Sequence, residues 1–168
     1  MKKAAYLGLF LAISLILSYV ESIIPVIVPV PGIKLGLANV AILILLYLYG
    51  PREAGLINLA RVIISAFMFN GLYSLMYSLT GAVFSFLIMF ALYRKEKVFS
   101  PVGVGMLGGL FHNIGQVLVA FLVTRVGGLV FYLPILMVSG LFTGALVGFI
   151  TKQLLPYLRK TILAHHDK

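Results

Sequence analysis

Runs of about 20 apolar residues follow one another along most of this chain, broken only by short polar or proline-containing turns. A helix needs a run of that length to cross the hydrocarbon core of a bilayer. Composition closes off the water-soluble alternative. Hydrophobic residues make up 62% of the 168 positions and charged residues 10%, and the mean hydropathy is +1.14. A soluble fold of this size could not hide so much apolar surface, so lipid must cover part of it. The expectation is an all-α, polytopic membrane protein of six transmembrane helices. It forms a single domain over residues 1–160, with a basic polar cytoplasmic tail at 161–168 and no soluble domain.

Punctuation along the chain places the helices. Met1-Lys2-Lys3 before an apolar run imitates a signal peptide. The run continues for about 20 residues without a small-residue cleavage site before Glu21, which predicts a retained first helix. Helix 1 is expected over Ala4–Ile24, then Pro25, Pro29, Pro31 and Gly32 break any helix. The Pro25–Ile33 stretch reads as a re-entrant or capping loop over a cavity. Helix 2 is expected over Lys34–Tyr49, ended by Gly50-Pro51, and helix 3 over Arg52–Phe69, ended by the Asn70-Gly71 turn signal. Helix 4 covers Leu72–Tyr93, helix 5 Val102–Thr124 after Ser100-Pro101, and helix 6 Leu129–Leu155, with Pro134 near its start.

The basic residues test this topology. With a cytoplasmic N-terminus, the inside segments hold Lys2, Lys3, Arg52, Arg94, Lys95, Lys97, Lys152, Arg159, Lys160 and Lys168, and the outside segments hold Lys34 and Arg125. That positive-inside bias supports both termini in the cytoplasm of a prokaryotic plasma membrane. The net charge of +9 is therefore a topology signal rather than a nucleic-acid footprint.

Polar groups within spans are costly and often mark a site. Here they are Glu21, Asn39, Asn58, Arg61, Asn70, His112, Asn113 and Gln116. At about 1.5 Å per residue they gather in the outer half of the bilayer. His112 and Gln116, four apart, share a helix face, as do Asn58 and Arg61, three apart. A cavity between helices 3 and 5, open outward and closed above by the Pro25–Ile33 loop, would collect Arg61, His112, Gln116 and Asn39. Arg61 and Lys34 would favour an anionic or electron-rich group. Tyr73, Tyr77 and Phe69 could form an aromatic wall.

Each of these residues also has a structural reading. Arg61 could pair with Glu21 or cap a broken helix. Asn58 and Asn113 could be interhelical hydrogen-bond glue. His112 could bond a backbone carbonyl, and Lys34 could mark a boundary by snorkelling. On helix 1, Ala4, Gly8 and Ala12 recur every four residues, a spacing that admits a close helix neighbour or ordinary bundle packing. Glycines at 103, 105, 108 and 109, and at 140, 144 and 148, predict tight packing of helices 5 and 6.

Several chemistries have no support. The chain has no cysteine and no phosphate-binding glycine loop ending in Lys-Ser/Thr. Its four acidic residues form no cluster to hold a magnesium–diphosphate, and no metal motif or nucleophile elbow occurs. Catalysis by this chain, a resident cofactor and nucleic-acid binding are not expected. Proton coupling through Glu21 or His112 stays open.

Three stretches carry a resemblance: Val30-Pro31-Gly32-Ile33-Lys34-Leu35-Gly36-Leu37-Ala38-Asn39, Gly50-Pro51-Arg52-Glu53-Ala54, and Gly108-Gly109-Leu110-Phe111-His112-Asn113-Ile114-Gly115-Gln116. They resemble the Gx transporter family, also labelled heptaprenyl diphosphate synthase component I, over roughly residues 1–160. That family is similar to the substrate-binding (S) components of energy-coupling factor (ECF) transporters. These are six-helix proteins that capture vitamins or other micronutrients from outside, with a membrane coupling subunit and two ATPases as partners. The resemblance implies that Ala4, Gly8 and Ala12 contact the coupling subunit, where Gly8 departs from the usual alanine, and that the loop after helix 1 gates the substrate. It carries no substrate identity. The second label implies a membrane accessory subunit of a prenyl-diphosphate synthase in isoprenoid biosynthesis. A membrane subunit of a flavin- or quinone-linked redox system is a third reading.

Overall fold

Proline and glycine set the helix limits in the computed structural model, which describes residues 2–23, 36–95, 97–125 and 127–164. Six α-helices result: α1 (Lys2–Ile23), α2 (Asn39–Leu48), α3 (Pro51–Ser65), α4 (Gly71–Leu92), α5 (Pro101–Thr124) and α6 (Leu133–Ala164). Gly50, at φ +92°, takes a backbone conformation that side chains resist, and Pro51 follows as the first residue of α3. Ser100 caps α5 by accepting the Gly103 N–H, again with proline at the first helical position. α3 passes into a π-helical turn over Ala66–Asn70, and Gly71 at φ +76° reverses the chain directly into α4. A 3₁₀ segment, Gly127–Tyr132, leads into α6.

Four helices, α1, α4, α5 and α6, are long and apolar enough to cross a membrane. Large apolar side chains stand exposed on them, among them Leu72 and Leu87 of α4 and Val138 and Phe142 of α6, as on a surface that meets lipid. The chain is a multi-pass, all-helical membrane protein.

Several boundaries differ from expectation: α3 gives way to the π turn after Ser65 rather than running to Phe69, α6 begins at Leu133 rather than Leu129, and the start of α2 and the end of α6 move furthest. α2 starts at Asn39, not Lys34, because Gly36 sits at φ +83° and the Asn39 and Val40 N–H groups close tight turns onto Gly36 and Leu37. Eight of its 10 residues, Asn39 to Leu46, are buried without a break, and Ile42, Leu43 and Leu45 are wholly enclosed. A helix apolar all round belongs in a core, and α2 is the axis of the bundle rather than a lipid-facing wall. α6 continues through Pro156 to Ala164, into the segment read as a tail.

The helices define two ends. The base holds Lys3 and Glu53, joined by an ion pair of 2.5 Å between α1 and α3. The crown holds Glu21, the edge-to-face pair Tyr19–Phe69, and Gly71. α5 and α6 meet backbone to backbone along a glycine seam. A Cβ on Gly109 would lie 2.2 Å from the Gly140 carbonyl oxygen, and one on Gly144 would lie 2.2 Å from that of Gly105. α4 meets α5 through Gly81 and Gly115, the latter against the Thr80 carbonyl. The sequence expectation of tight packing between helices 5 and 6 is met.

Candidate functional site

Two polar groupings interrupt the apolar core. The first lies between α1 and α3. Arg61, 6% exposed, donates from Nη1 to Ser18 Oγ at 3.2 Å and from Nη2 to Asn58 Oδ1 at 2.7 Å. Asn58 in turn donates to the Ala82 carbonyl of α4 at 3.4 Å. Ser14, Ser18 and Glu21 recur at helical spacing on the buried face of α1, so that α1 presents hydrogen-bonding groups to α3.

Glu21 links this grouping to the next. Its carboxylate accepts the N–H groups of Gly36 and Leu37, the latter at 2.9 Å. It therefore meets donors at the entry to α2, where no side chain of the turn itself caps the helix. A carboxylate is favourable there because the N-terminal end of a helix carries positive partial charge. Arg61 thus hydrogen-bonds to Ser18 and Asn58, and Glu21 to the Gly36 turn.

The second grouping lies between α2, α4 and α5. Asn39 donates to Ser85 Oγ at 3.4 Å. Gly36 approaches both Asn39 and His112, and Gly81 of α4 lies against His112 and Gln116. His112 is 4% exposed and Gln116 is fully buried. Only glycine at 81 leaves space for these two side chains, since a Cβ there would come within 2.9 Å of Gln116 and 3.0 Å of His112.

The structure therefore brings together Glu21, Arg61 and Asn58 on one side, and Asn39, His112 and Gln116 on the other, joined through the Gly36 turn. Asn113 departs from this set. Its amide donates to the Leu136 carbonyl of α6 at 2.6 Å, which matches its reading as interhelical glue. Tyr73 does not form an aromatic wall; it is 81% exposed on the bundle surface, and Tyr77, one turn on, is the buried ring. Lys34 and the Pro25–Ile33 loop lie outside the described residues. Ala4, Gly8 and Ala12 are all exposed, on the side of α1 away from Phe10, Ser14 and Ser18.

Between α2, α4, α5 and α6, the space bounded by Asn39, Ser85, Gly105 and Gly144 is too small for a water molecule. Larger spaces lie on the apolar periphery. A cleft of about 260 Å³ separates α3 from α4 beside Val62 and Phe86, and one of about 220 Å³ lies between α1, α2 and α6 beside Phe10, Ile44 and Leu158. Among the described residues no group of His, Asp and Glu could hold a metal.

Sequence reasoning missed the serines. Ser18 and Ser85 hold Arg61 and Asn39, and Ser74 and Ser78 are buried on α4. Their spacing was a usable signal: Ser14 and Ser18 on α1, and Ser74, Ser78 and Ser85 on α4, recur at helical intervals in otherwise apolar runs.

The sequence profile of the family described as heptaprenyl diphosphate synthase component I matches residues 10–154, and the chain belongs to that family. The match spans both polar groupings. No curated protein and no solved structure matches the chain.

Proposed function

We propose that this member of the heptaprenyl diphosphate synthase component I family is a membrane-embedded binding subunit. It captures a small polar or anionic molecule at the crown of the bundle and leaves chemistry or energy supply to partner subunits. The observation that carries the reading is Arg61, a charged side chain enclosed in the bundle with polar groups from α1 and α3 around it. Such a charge is expensive within a membrane and faces a functional interior. The candidate residues are Arg61, His112, Gln116, Asn39 and Glu21.

In the fuller form of this reading the crown faces outward, the helices span the bilayer six times, and both termini are cytoplasmic. The protein is then the S component of an ECF-type transporter for a micronutrient or precursor. The exposed small-residue stripe Ala4, Gly8 and Ala12 offers a flat face for a coupling subunit with two ATPases. Binding of a small molecule by the purified chain, lost in Arg61→Ala and in His112→Ala, supports this; unchanged affinity in both removes the site.

A second reading has the family description behind it. The chain is then the non-catalytic membrane component of a prenyl-diphosphate synthase, holding the enzyme or its product at the membrane. Its basic base end, with Arg94, Lys95, Lys152 and Arg159, suits an acidic soluble partner or an anionic head group. Affinity purification of the full chain followed by mass spectrometry of partners and retained small molecules separates the two. A soluble synthase without a bound small molecule favours the second; a membrane partner with ATPases favours the first.

A further inference from the structure

A hydroxyl in an apolar helix normally donates back to a carbonyl three or four residues earlier. Ser14, Ser65, Thr124, Thr143 and Thr151 do so here. Ser18 and Ser85 bond instead to Arg61 and Asn39. Ser74 and Ser78 do neither. They are only 8% and 7% exposed, and among the described residues their hydroxyls have no hydrogen-bond partner. The same is true of Arg61 Nε. Buried polar atoms in proteins are satisfied almost without exception, so these three unmet groups call for an explanation.

Their placement supplies it. Ser74 and Ser78 are four residues apart and share a face of α4 with Ser85. Neighbours fix the direction of that face. On one flank the Ala82 carbonyl accepts from Asn58 of α3, and on the other Gly81 lies against His112 and Gln116 of α5. The serines therefore face the interior between α3 and α5. α2 fills that interior only from Asn39, at the level of Ser85, toward the base. Ser78 and Ser74 lie about two and three turns nearer the crown, beyond the end of α2.

We propose that Ser74, Ser78 and Arg61 Nε form a ligand subsite on the crown side of the polar core, which takes an oxyanion of a small molecule. All three are donors, and a carboxylate or phosphoryl oxygen is acceptor-only, so the chemistry is complementary. The fixed charge of Arg61 selects an anion over a neutral carbonyl. The inference rests on the crown being a binding region, and it adds the residues and the ligand class.

The chain has no native cysteine, which allows a direct test. Ser74→Cys, Ser78→Cys and a reference, Val83→Cys on the exposed side of α4, are made in the full chain and reacted in intact cells with a membrane-impermeant methanethiosulfonate. Because the thiolate is the reactive form and needs water or positive charge nearby, labelling at 74 and 78 is expected to be about tenfold faster than at 83. Sodium phosphate or sodium acetate, but not sodium chloride at equal ionic strength, slows it. Protection by phosphate alone names a phosphoryl ligand, and protection by acetate alone a carboxylate. Labelling no faster than at Val83→Cys overturns the subsite, and fast labelling that neither anion slows overturns the oxyanion assignment. A Ser74→Ala, Ser78→Ala double variant should keep its thermal stability; a large loss makes the serines structural and also overturns the proposal. Binding that depends on Arg61 beside unlabelled cysteines would sink the subsite and leave the broader reading standing.

Discussion

The two sides of the bundle are held by different physics. α5 and α6 lock through glycines, backbone against backbone, with Gly105, Gly109, Gly140 and Gly144 leaving no room for a single added carbon. α1 and α3 are held by polar contacts: Lys3 with Glu53 at the base, Ser18 with Arg61 in the interior. Dispersion between close backbones has one geometry and no substitute. A hydrogen bond can be exchanged for another of the same kind. The seam is therefore suited to be a fixed frame, and the polar side to exchange its partners for those of a ligand or a second protein.

The contrast can be broken first at the seam. Gly109→Leu should unfold the protein or prevent its assembly, since overpacking against the Gly140 carbonyl has no flexible side chain to yield; a cost above about 3 kcal/mol is expected. Detergent-solubilised protein would elute as aggregate on size exclusion, and a monodisperse product would show that the seam is adjustable. On the polar side, Arg61→Ala leaves Ser18 and Asn58 short of a donor, and a loss of about 2–3 kcal/mol is expected in thermal unfolding. Arg61→Lys should recover little of it, because one ammonium cannot reach both partners with the guanidinium's fixed fork. Ser18→Ala removes a single bond and should cost about 0.5–1 kcal/mol.

The base ion pair should matter least, and its pH dependence has a defined sign. The hydrogen bond from Lys3 holds the Glu53 carboxyl below the usual carboxylate range. Its contribution is therefore present above the unfolded carboxylate value and is lost as pH falls through the lowered folded one. Exposed and screened, it should be worth less than about 1 kcal/mol. The difference in melting temperature between the native chain and Glu53→Gln should vanish both in acid and at high salt. Gly8→Leu, whose new side chain meets open space, should leave the isolated chain as stable as before. A lost partner complex in that same variant would identify the α1 stripe as an interface, and unchanged assembly would remove it.

Boundaries written in proline and glycine were readable in the sequence. Gly50-Pro51, Ser100-Pro101 and Asn70-Gly71 each end or start a helix where expected, because their backbone preferences are local. The start of α2 was not readable. Nothing in Lys34–Ala38 forbids a helix by composition, and what stops it is Gly36 at positive φ with Glu21 holding its N–H, a contact between residues fifteen apart. Burial direction was the other gap. His112, Gln116 and Arg61 were found because a polar group in an apolar run stands out. Tyr73 was misplaced because aromatic residues suit the lipid surface as well as an interior. Serine is too small and too common in membrane helices to draw attention singly, which hid Ser18, Ser74, Ser78 and Ser85.

The half-length α2 has a consequence for how the chain is made. Ten residues give the insertion machinery too little hydrocarbon to recognise as a span in its own right. Its enclosed surface also gives it nothing to offer lipid. α2 must therefore arrive as a passenger, carried in with α1 behind it and α3 ahead, and acquire its surroundings only when α4 and α6 close around it. Until α4, α5 and α6 are in place, the core of the finished protein does not exist, because Met89, Tyr93, Val104 and Val147 are part of it.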